Sequence, residues 1–437
     1  MTDVIVIGGG LAGMSAAAAL GSIGLSVELF ESRPFVGGRA TSYALPNTEV
    51  VDNCQHILLR CCVNLLDFYS RLGVADRIQF YSEIPFLEPG GRMSIFRRGL
   101  LPAPFHFTES FLRLPFLDWG DKIAIGRAFL AILWEHDRRQ DLDGISMLDW
   151  LHEKGQTPNA IERFWRQVLV SAINEELGRM AASHGFQVFR LGFLATADSY
   201  EMGVPNVPLG ELYGAEAWAG LPNVNLRLRA PVERVETANG EIEAVYSGGE
   251  RFSARQFVSA VPFERVASLF PTAGLDVSAF SHSSITSVHL WFDRPVTDMD
   301  NATLLERNIQ WFFNKEQGRY LQLVISASSN LLEMPRQQVI DLARQELCEF
   351  LPAAREAQVI KAHVIKEARA TFSAAPGLRK HRPEPATRLS NLWLAGDWTQ
   401  SGWPATMEGA VRSGYKAAEF TAAALDRPTR FLLPDIK

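Results

Sequence analysis

The chain has 437 residues, 47% hydrophobic and 21% charged, an ordinary globular composition long enough for two domains with cores of their own. Its net charge of −6, from 43 basic and 49 acidic residues, argues against general nucleic-acid binding. Cys54, Cys61, Cys62 and Cys348 form no C-x-x-C pair and no zinc spacing. No metal is expected, the thiols read as buried and reduced, and the cytoplasm is the expected compartment.

The chain opens on Val4 to Ile7 (VIVI), a short β-branched run of the kind buried in a parallel sheet. Gly8, Gly10 and Gly13 follow as G-x-G-x-x-G and lead into a small-residue helix, Met14 to Leu20. In such a turn the first glycine allows the tight bend and the second lets a pyrophosphate approach the backbone. The third permits close helix–strand packing, while the N–H groups at Leu11 and Ala12 open a helix whose dipole favours an anion. A second apolar strand, Val27 to Phe30, ends at Glu31, about 20 residues on, where a carboxylate can accept from ribose hydroxyls. Strand, helix, second strand and terminal acid together indicate dinucleotide binding. The uncharged run from Val4 to Val27 could pass for a signal peptide or membrane helix, but Asp3 is the only charge before it and a basic n-region is missing.

After Glu31, Ser32 and Arg33 lead to Gly37-Gly38-Arg39, a loop in which backbone and guanidinium can both approach a diphosphate. Val50-Val51-Asp52 reads as a strand running into the polar cluster Asn53-Cys54-Gln55-His56. Asp52 and His56 could face a flavin or a substrate, or could cap a helix expected to begin near Leu58. Residues 60–220 alternate helical patterns with Pro-rich loops. Within them, Leu100 to Leu117 (LLPAPFHFTESFLRLPFL) is apolar and Phe-rich and follows Arg97 and Arg98. It is too short and Pro-broken to span a bilayer; it could lie at a membrane interface or be buried core. Phe164 through Glu176 reads as a buried helix, and Gly203 through Tyr213 as a loop entering another.

Asn225 to Arg229 alternates, Val232 to Val235 is a further strand, and Asn239-Gly240 is a hairpin turn. With Ile242 to Tyr246 and Arg251 to Val261 they are expected to form one β-meander on the adenosine side of the cofactor. Ser287 to Phe292 and Leu321 to Ser326 read as strands of a second, mixed sheet. Finally Leu392 to Leu394 is a strand ending at Gly396-Asp397, where a carboxylate can accept from a ribityl chain. Pro404 to Gly409, with Thr406 and Met407, opens a helix whose N-terminus could face the flavin edge that gains negative charge on reduction. The two halves of this signature stand roughly 350 residues apart.

Together these pieces resemble the phytoene desaturase and flavin amine oxidase superfamily, and within it the bacterial hydroxysqualene dehydroxylases, or squalene-associated FAD-dependent desaturases. The narrower likeness rests on DNCQHILLRCCVNLLDFYSRLGV (52–74), RFWRQVLVSAINEEL (163–177), ITSVHLWFDRPV (285–296), IQWFFNK (309–315) and LAGDWTQSGWPATMEGAVRSG (394–414). The resemblance implies an α/β fold: a Rossmann-like (GR2-type) FAD domain with a β-meander, and an inserted α+β substrate domain with a mixed sheet. The FAD domain would comprise residues 1–59, 222–268 and 385–425; the substrate domain 60–221 and 269–384, whose helical part near 97–135 could face a membrane or be buried core. It places Gly8, Gly10, Gly13, Glu31, Arg39, Val232, Asp397 and Met407 at FAD. Two departures stand out: Ala405-Thr406-Met407-Glu408-Gly409-Ala410 lacks the tyrosine of the amine oxidases' Gly-Tyr-x-x-Gly-Ala, and Cys54 replaces the glycine of Asp-x-Gly-x-His.

The implied reaction is reduction of 12-hydroxysqualene to squalene with loss of water, in hopanoid biosynthesis downstream of squalene-synthase-like enzymes. His56, Asp52 and Glu408 are the candidate proton donors. Other readings are a carotenoid desaturase running the hydride the opposite way, an NAD-linked dehydrogenase, and a non-catalytic prenyl-lipid carrier.

Overall fold

The computed structural model describes residues 2–46 and 49–436. Its organising element is a five-stranded, wholly parallel sheet in the spatial order Val224–Arg227, Val27–Phe30, Val4–Ile7, Gln256–Ser259, Leu392–Leu394. The three central strands are nearly all buried, as expected for apolar runs covered on both faces. Strands from both ends of the chain and from its middle therefore meet side by side, which puts Gly8 and Gly396 at the same C-terminal edge of the sheet.

Two helices lock the ends together. The helix Leu11–Ser22 is buried almost throughout, and Met407–Ala424 crosses it closely. At the crossing, Ser15 Oγ lies 3.3 Å from the Val411 carbonyl, and a Cβ on Gly414 would come within 2.2 Å of the Ala12 carbonyl oxygen. Ser413 Oγ accepts the Gly396 N–H at 2.8 Å, tying the same helix to the end of the last strand.

The single expected meander divides in two. Arg234–Ala238, Glu241–Ser247 and Glu250–Phe252 are antiparallel, turning at Asn239-Gly240 with φ of 51° and 79°. The flanking strands Val224–Arg227 and Gln256–Ser259 belong instead to the parallel sheet. The alternation of Asn225 to Arg229 came from an edge strand, which buries less of itself than a central one.

A seven-stranded mixed sheet forms the second layer, in the order Val359–Phe372, His282–Phe292, Tyr320–Ser326, Trp311–Asn314, Asn301–Leu304, Ile84–Leu87, Met93–Phe96. Three sequence expectations shift here. The helix expected near Leu58 begins at Val63, because Leu58–Leu59 pairs with Met202 and Gly203. Met202–Pro205 is accordingly a strand, not a loop. The helical run through Phe164 stops at Ile173, where Asn174 turns left-handed with φ 60°.

His289 sits within this sheet, fully buried, its Nδ1 2.7 Å from the Tyr320 hydroxyl and its Nε2 3.2 Å from Ser287 Oγ. Burial, with His363 and Lys315 nearby, depresses its pKa from 6.5 to about 3. The imidazole is neutral in the fold but takes up a proton in the unfolded chain below 6.5. Its contribution to stability is therefore complete above pH 6.5 and lost as pH falls toward 3, at about 1.4 kcal/mol per pH unit. Urea midpoints taken from about pH 7 down to about pH 4 should show a shallower slope for His289→Gln than for the parent; parallel curves would exclude this assignment.

Candidate cofactor cleft and its apolar arm

The C-terminal edge of the parallel sheet opens into a cavity of about 740 Å³. Gly8, Gly10, Leu11, Ala12, Glu31, Ser32, Arg33, Gly38, Arg39, Val232, Gly396, Asp397, Thr406 and Met407 all line it. Gly13 lies just beneath, facing the strand instead of the opening. The first helix has no side-chain cap and no acid in its first turn, so its leading N–H groups face the cavity without a competing anion. Glu31 is held at the rim: one carboxylate oxygen accepts the Gly9 N–H at 2.7 Å, the other the Arg33 N–H at 2.8 Å and the Ser32 hydroxyl at 3.0 Å.

Opposite, Arg39 donates to Asp397 Oδ1 at 2.8 Å and to the Ala370 carbonyl at 2.9 Å. The loop after Asp397 is held by Arg382, which no sequence motif marked. Its buried guanidinium donates to the carbonyls of Asp397, Thr399 and Trp403 and to Ser401 Oγ, and burial lowers it to about 10. Thr406 then caps the last helix by accepting the Gly409 N–H at 3.1 Å. Two helix N-termini thus converge on one cavity, spaced by a carboxylate at either end. The groove has the donors a diphosphate requires, and an open backbone beside them: a Cβ on Gly10 would meet no atom within 4 Å.

The three candidate acids separate. His56 lines the cavity, its Nδ1 3.3 Å from the Cys54 carbonyl; burial holds its imidazolium below the ordinary range, partly offset by Asp52. Asp52 is off the cavity wall. It accepts from Ser42 Oγ at 2.7 Å and from the Leu209 N–H at 3.0 Å, so it caps the short helix Leu209–Leu212 and no helix near Leu58. Glu408 borders the cavity, but its carboxylate is committed to the helix Val63–Arg71, accepting from Asn64 N–H (3.2 Å), Asn64 Nδ2 (2.9 Å) and Leu65 N–H (2.7 Å). Burial pushes Glu408 upward, against the pull of those donors and of Arg412.

Cys54 has φ 62°, a left-handed conformation that favours glycine, which gives the physical reason for a glycine at this point of the Asp-x-Gly-x-His pattern. Its thiol is buried and raised, hence inert. Sequence reasoning assigned no role to Asn53 and Gln55, whose side-chain amide oxygens are buried on the same wall without a partner among the described residues. It also passed over Glu264, on the helix Phe263–Leu269, and His282, Glu367 and Arg369, on strands of the mixed sheet, none of which carries a motif.

Beyond His56 the cavity continues as an arm walled by Ile84, Phe86, Phe96, Phe164, Phe193 and Trp311. The lining residues between 57 and 202, and Ile285, Thr303 and Trp311, are uncharged; the charged ones lie on the groove segments and, as Glu367 and Arg369, on the strand Val359–Phe372. One cavity therefore joins a dinucleotide groove to a long apolar space.

Residues 11–420 match the family model described as flavin containing amine oxidoreductase. The chain is 28% identical to the hydroxysqualene dehydroxylase of Rhodopseudomonas palustris, covering 96% of this chain and 98% of that protein. It is 24% identical to a probable zeta-carotene desaturase of Synechococcus elongatus, over 95% and 98% of the two chains. Its fold is like that of an oxidoreductase from Methanosarcina mazei, with a TM-score of 0.72 at 17% identity, over 94% of this chain and 99% of that one. The chain belongs to the flavin containing amine oxidoreductase family and is an oxidoreductase whose cofactor is FAD.

Proposed function

We propose that this enzyme removes the allylic hydroxyl of a long isoprenoid, reducing 12-hydroxysqualene to squalene with release of water. The observation that carries this reading is the uncharged arm: its largely apolar wall suits a long hydrocarbon, and none of its own lining residues gives an amine cation a counter-charge. The relatives named for hydroxysqualene dehydroxylation and for carotene desaturation support an isoprenoid substrate.

In this reading segments 1–59, 222–268 and 385–425 build the FAD domain. Gly10, Leu11 and Ala12 would hold the diphosphate, Glu31 the adenosine ribose, Val232 the adenine, Asp397 the ribityl chain and Met407 the flavin edge. Reduced FAD, when bound, supplies a hydride at its N5. The arm holds the chain with its carbinol carbon toward the groove and keeps water from the reacting carbon. His56, the one candidate acid left free on the wall, gives its proton to the departing oxygen. With that proton the hydroxyl leaves as water when the C–O bond breaks, and the carbon would take its new hydrogen as the hydride that bound FAD would supply. A reduced donor must then restore the flavin.

Anaerobically photoreduced enzyme given hydroxysqualene should return to the oxidised flavin spectrum and yield squalene. If the flavin stays reduced and no squalene forms, the reading fails; if the oxidised enzyme instead reduces its flavin with phytoene, the direction of the hydride is reversed. Since burial lowers His56 from its usual 6.5 and only the imidazolium donates, single-turnover rates should fall as pH rises through a value below 6.5. His56→Gln should slow that step about 100-fold and flatten the profile while leaving FAD content unchanged. An unaltered profile would remove His56 from the mechanism.

A further inference from the structure

One face of the molecule exposes large apolar side chains where water would ordinarily meet charge. Leu100 is wholly exposed, Phe105 57%, Trp119 67%, Ile123 53%, Leu130 59% and Trp134 64%. On the helix Trp119–Glu135 the exposed positions are Trp119, Gly120, Ile123, Arg127, Leu130, Leu133 and Trp134; the only charge among them is Arg127. The helix's acids are turned inward: Asp121 closes a capping box with Asp118, and Glu135 accepts from the Trp150 indole and pairs with Lys154. Spaced by 15 positions, Trp119 and Trp134 stand about 22 Å apart along one helical face. No helix among the described residues is long and apolar enough to cross a membrane.

We propose that this face lies flat on an anionic bilayer, and that the loop 97–107 above it is the door by which an apolar chain passes from lipid into the cavity. The door rests on the apolar-substrate reading; the docking does not. Exposed Arg97, Arg98, Arg113 and Arg138 border the patch and Arg127 lies within it, against Glu83, Glu109, Asp118 and Asp137, with Arg97 paired to Glu83 and Arg113 to Glu109, in a chain whose net charge is −6. Anionic headgroups satisfy such a rim, whereas a second copy meeting face to face would set guanidinium against guanidinium. Tryptophans at both ends of a surface-lying helix suit the headgroup level.

The cavity and the patch are separated by one layer of aromatic rings. Phe96 and Phe193 line the arm, and Phe107 covers both, with ring centroids 4.4 Å and 6.0 Å away. Phe164, also on the arm, packs under Phe129 of the exposed helix at 5.9 Å. The loop is tied at its base, where Gly99 N–H donates to the His106 carbonyl and Ser110 Oγ to the Arg97 carbonyl, each at 2.6 Å. Its tip, with Leu100, Leu101 and Phe105, projects from that base.

FAD-loaded full chain should sediment with phosphatidylglycerol/phosphatidylethanolamine vesicles at least tenfold better than with phosphatidylcholine alone, less so as salt is raised, and with a blue-shifted tryptophan emission. Trp119→Ser with Trp134→Ser should weaken partitioning about 100-fold at unchanged flavin absorbance and melting temperature. Leu101→Ser with Phe105→Ser should slow uptake of the polyene probe diphenylhexatriene from vesicles about tenfold, but not from detergent micelles. Absence of vesicle binding overturns the docking, as does a dimer that the tryptophan variant abolishes; equal slowing from both carriers overturns the door. Partition and uptake are read without turnover, so they stand or fall apart from the dehydroxylation chemistry.

Discussion

Gly13→Ala is expected to unfold the cofactor half of the molecule. An added Cβ would lie 1.9 Å from the Gly8 carbonyl oxygen and 3.1 Å from the Ala260 side chain, so helix and strand cannot keep their separation. A glycine-to-alanine change in a helix ordinarily gains about 1 kcal/mol. Here forced separation of packed backbone should cost about 3 kcal/mol or more, and the clash decides the sign. The informative control is Gly10→Ala, three residues away. Gly10 has φ −76°, and its Cβ would enter open cavity with no atom within 4 Å. That variant should keep its unfolding free energy in urea to within about 0.5 kcal/mol and lose FAD affinity about 100-fold, because the methyl takes the space of the diphosphate. Circular dichroism in urea and flavin fluorescence titration separate the two effects. Equal behaviour of the two variants would refute the assignment of the groove.

Ala172→Trp should close the apolar arm. Ala172 lines the cavity and is exposed to it, so the indole can enter empty space without displacing core. The melting temperature and the flavin spectrum should stay those of the parent, since the groove residues are untouched. Turnover of a long isoprenoid should fall about 100-fold or more, because a chain that cannot thread the arm cannot bring its carbinol carbon to the groove. A short allylic alcohol, which needs little of the arm, should lose less than about threefold. If both substrates fell together, the arm would not be the substrate's site.

The dinucleotide half was legible because its signals are local. Gly8, Gly10 and Gly13 answer to the geometry of one turn, and Glu31 to the end of one strand; both lie within about 30 residues, where spacing alone fixes position. Asp397 and Thr406 were legible for the same reason: each sits beside a strand end or a helix start. The α/β class and an inner strand of the mixed sheet followed from apolar runs of the right length at Val4 to Ile7, Val27 to Phe30 and Leu321 to Ser326.

What the pattern could not convey is which face a polar side chain presents and which distant element meets it. Asp52, Glu408 and His56 looked alike in the chain, each polar beside a cofactor segment. Folding sent Asp52 to the N–H of Leu209 and Glu408 to those of Asn64 and Leu65, and only His56 kept a free place on the wall. Arg382 holds the Asp397 loop through carbonyls that carry no side-chain signature. The split of the meander between two sheets likewise depended on long-range pairing, Val224 beside Val27 and Gln256 beside Val4. The amino-acid order specified a dinucleotide groove, because glycine turns and strand ends are decided by neighbouring atoms. The apolar arm, and its opening beside His56, arose from contacts between segments more than 100 residues apart, which no local spacing encodes.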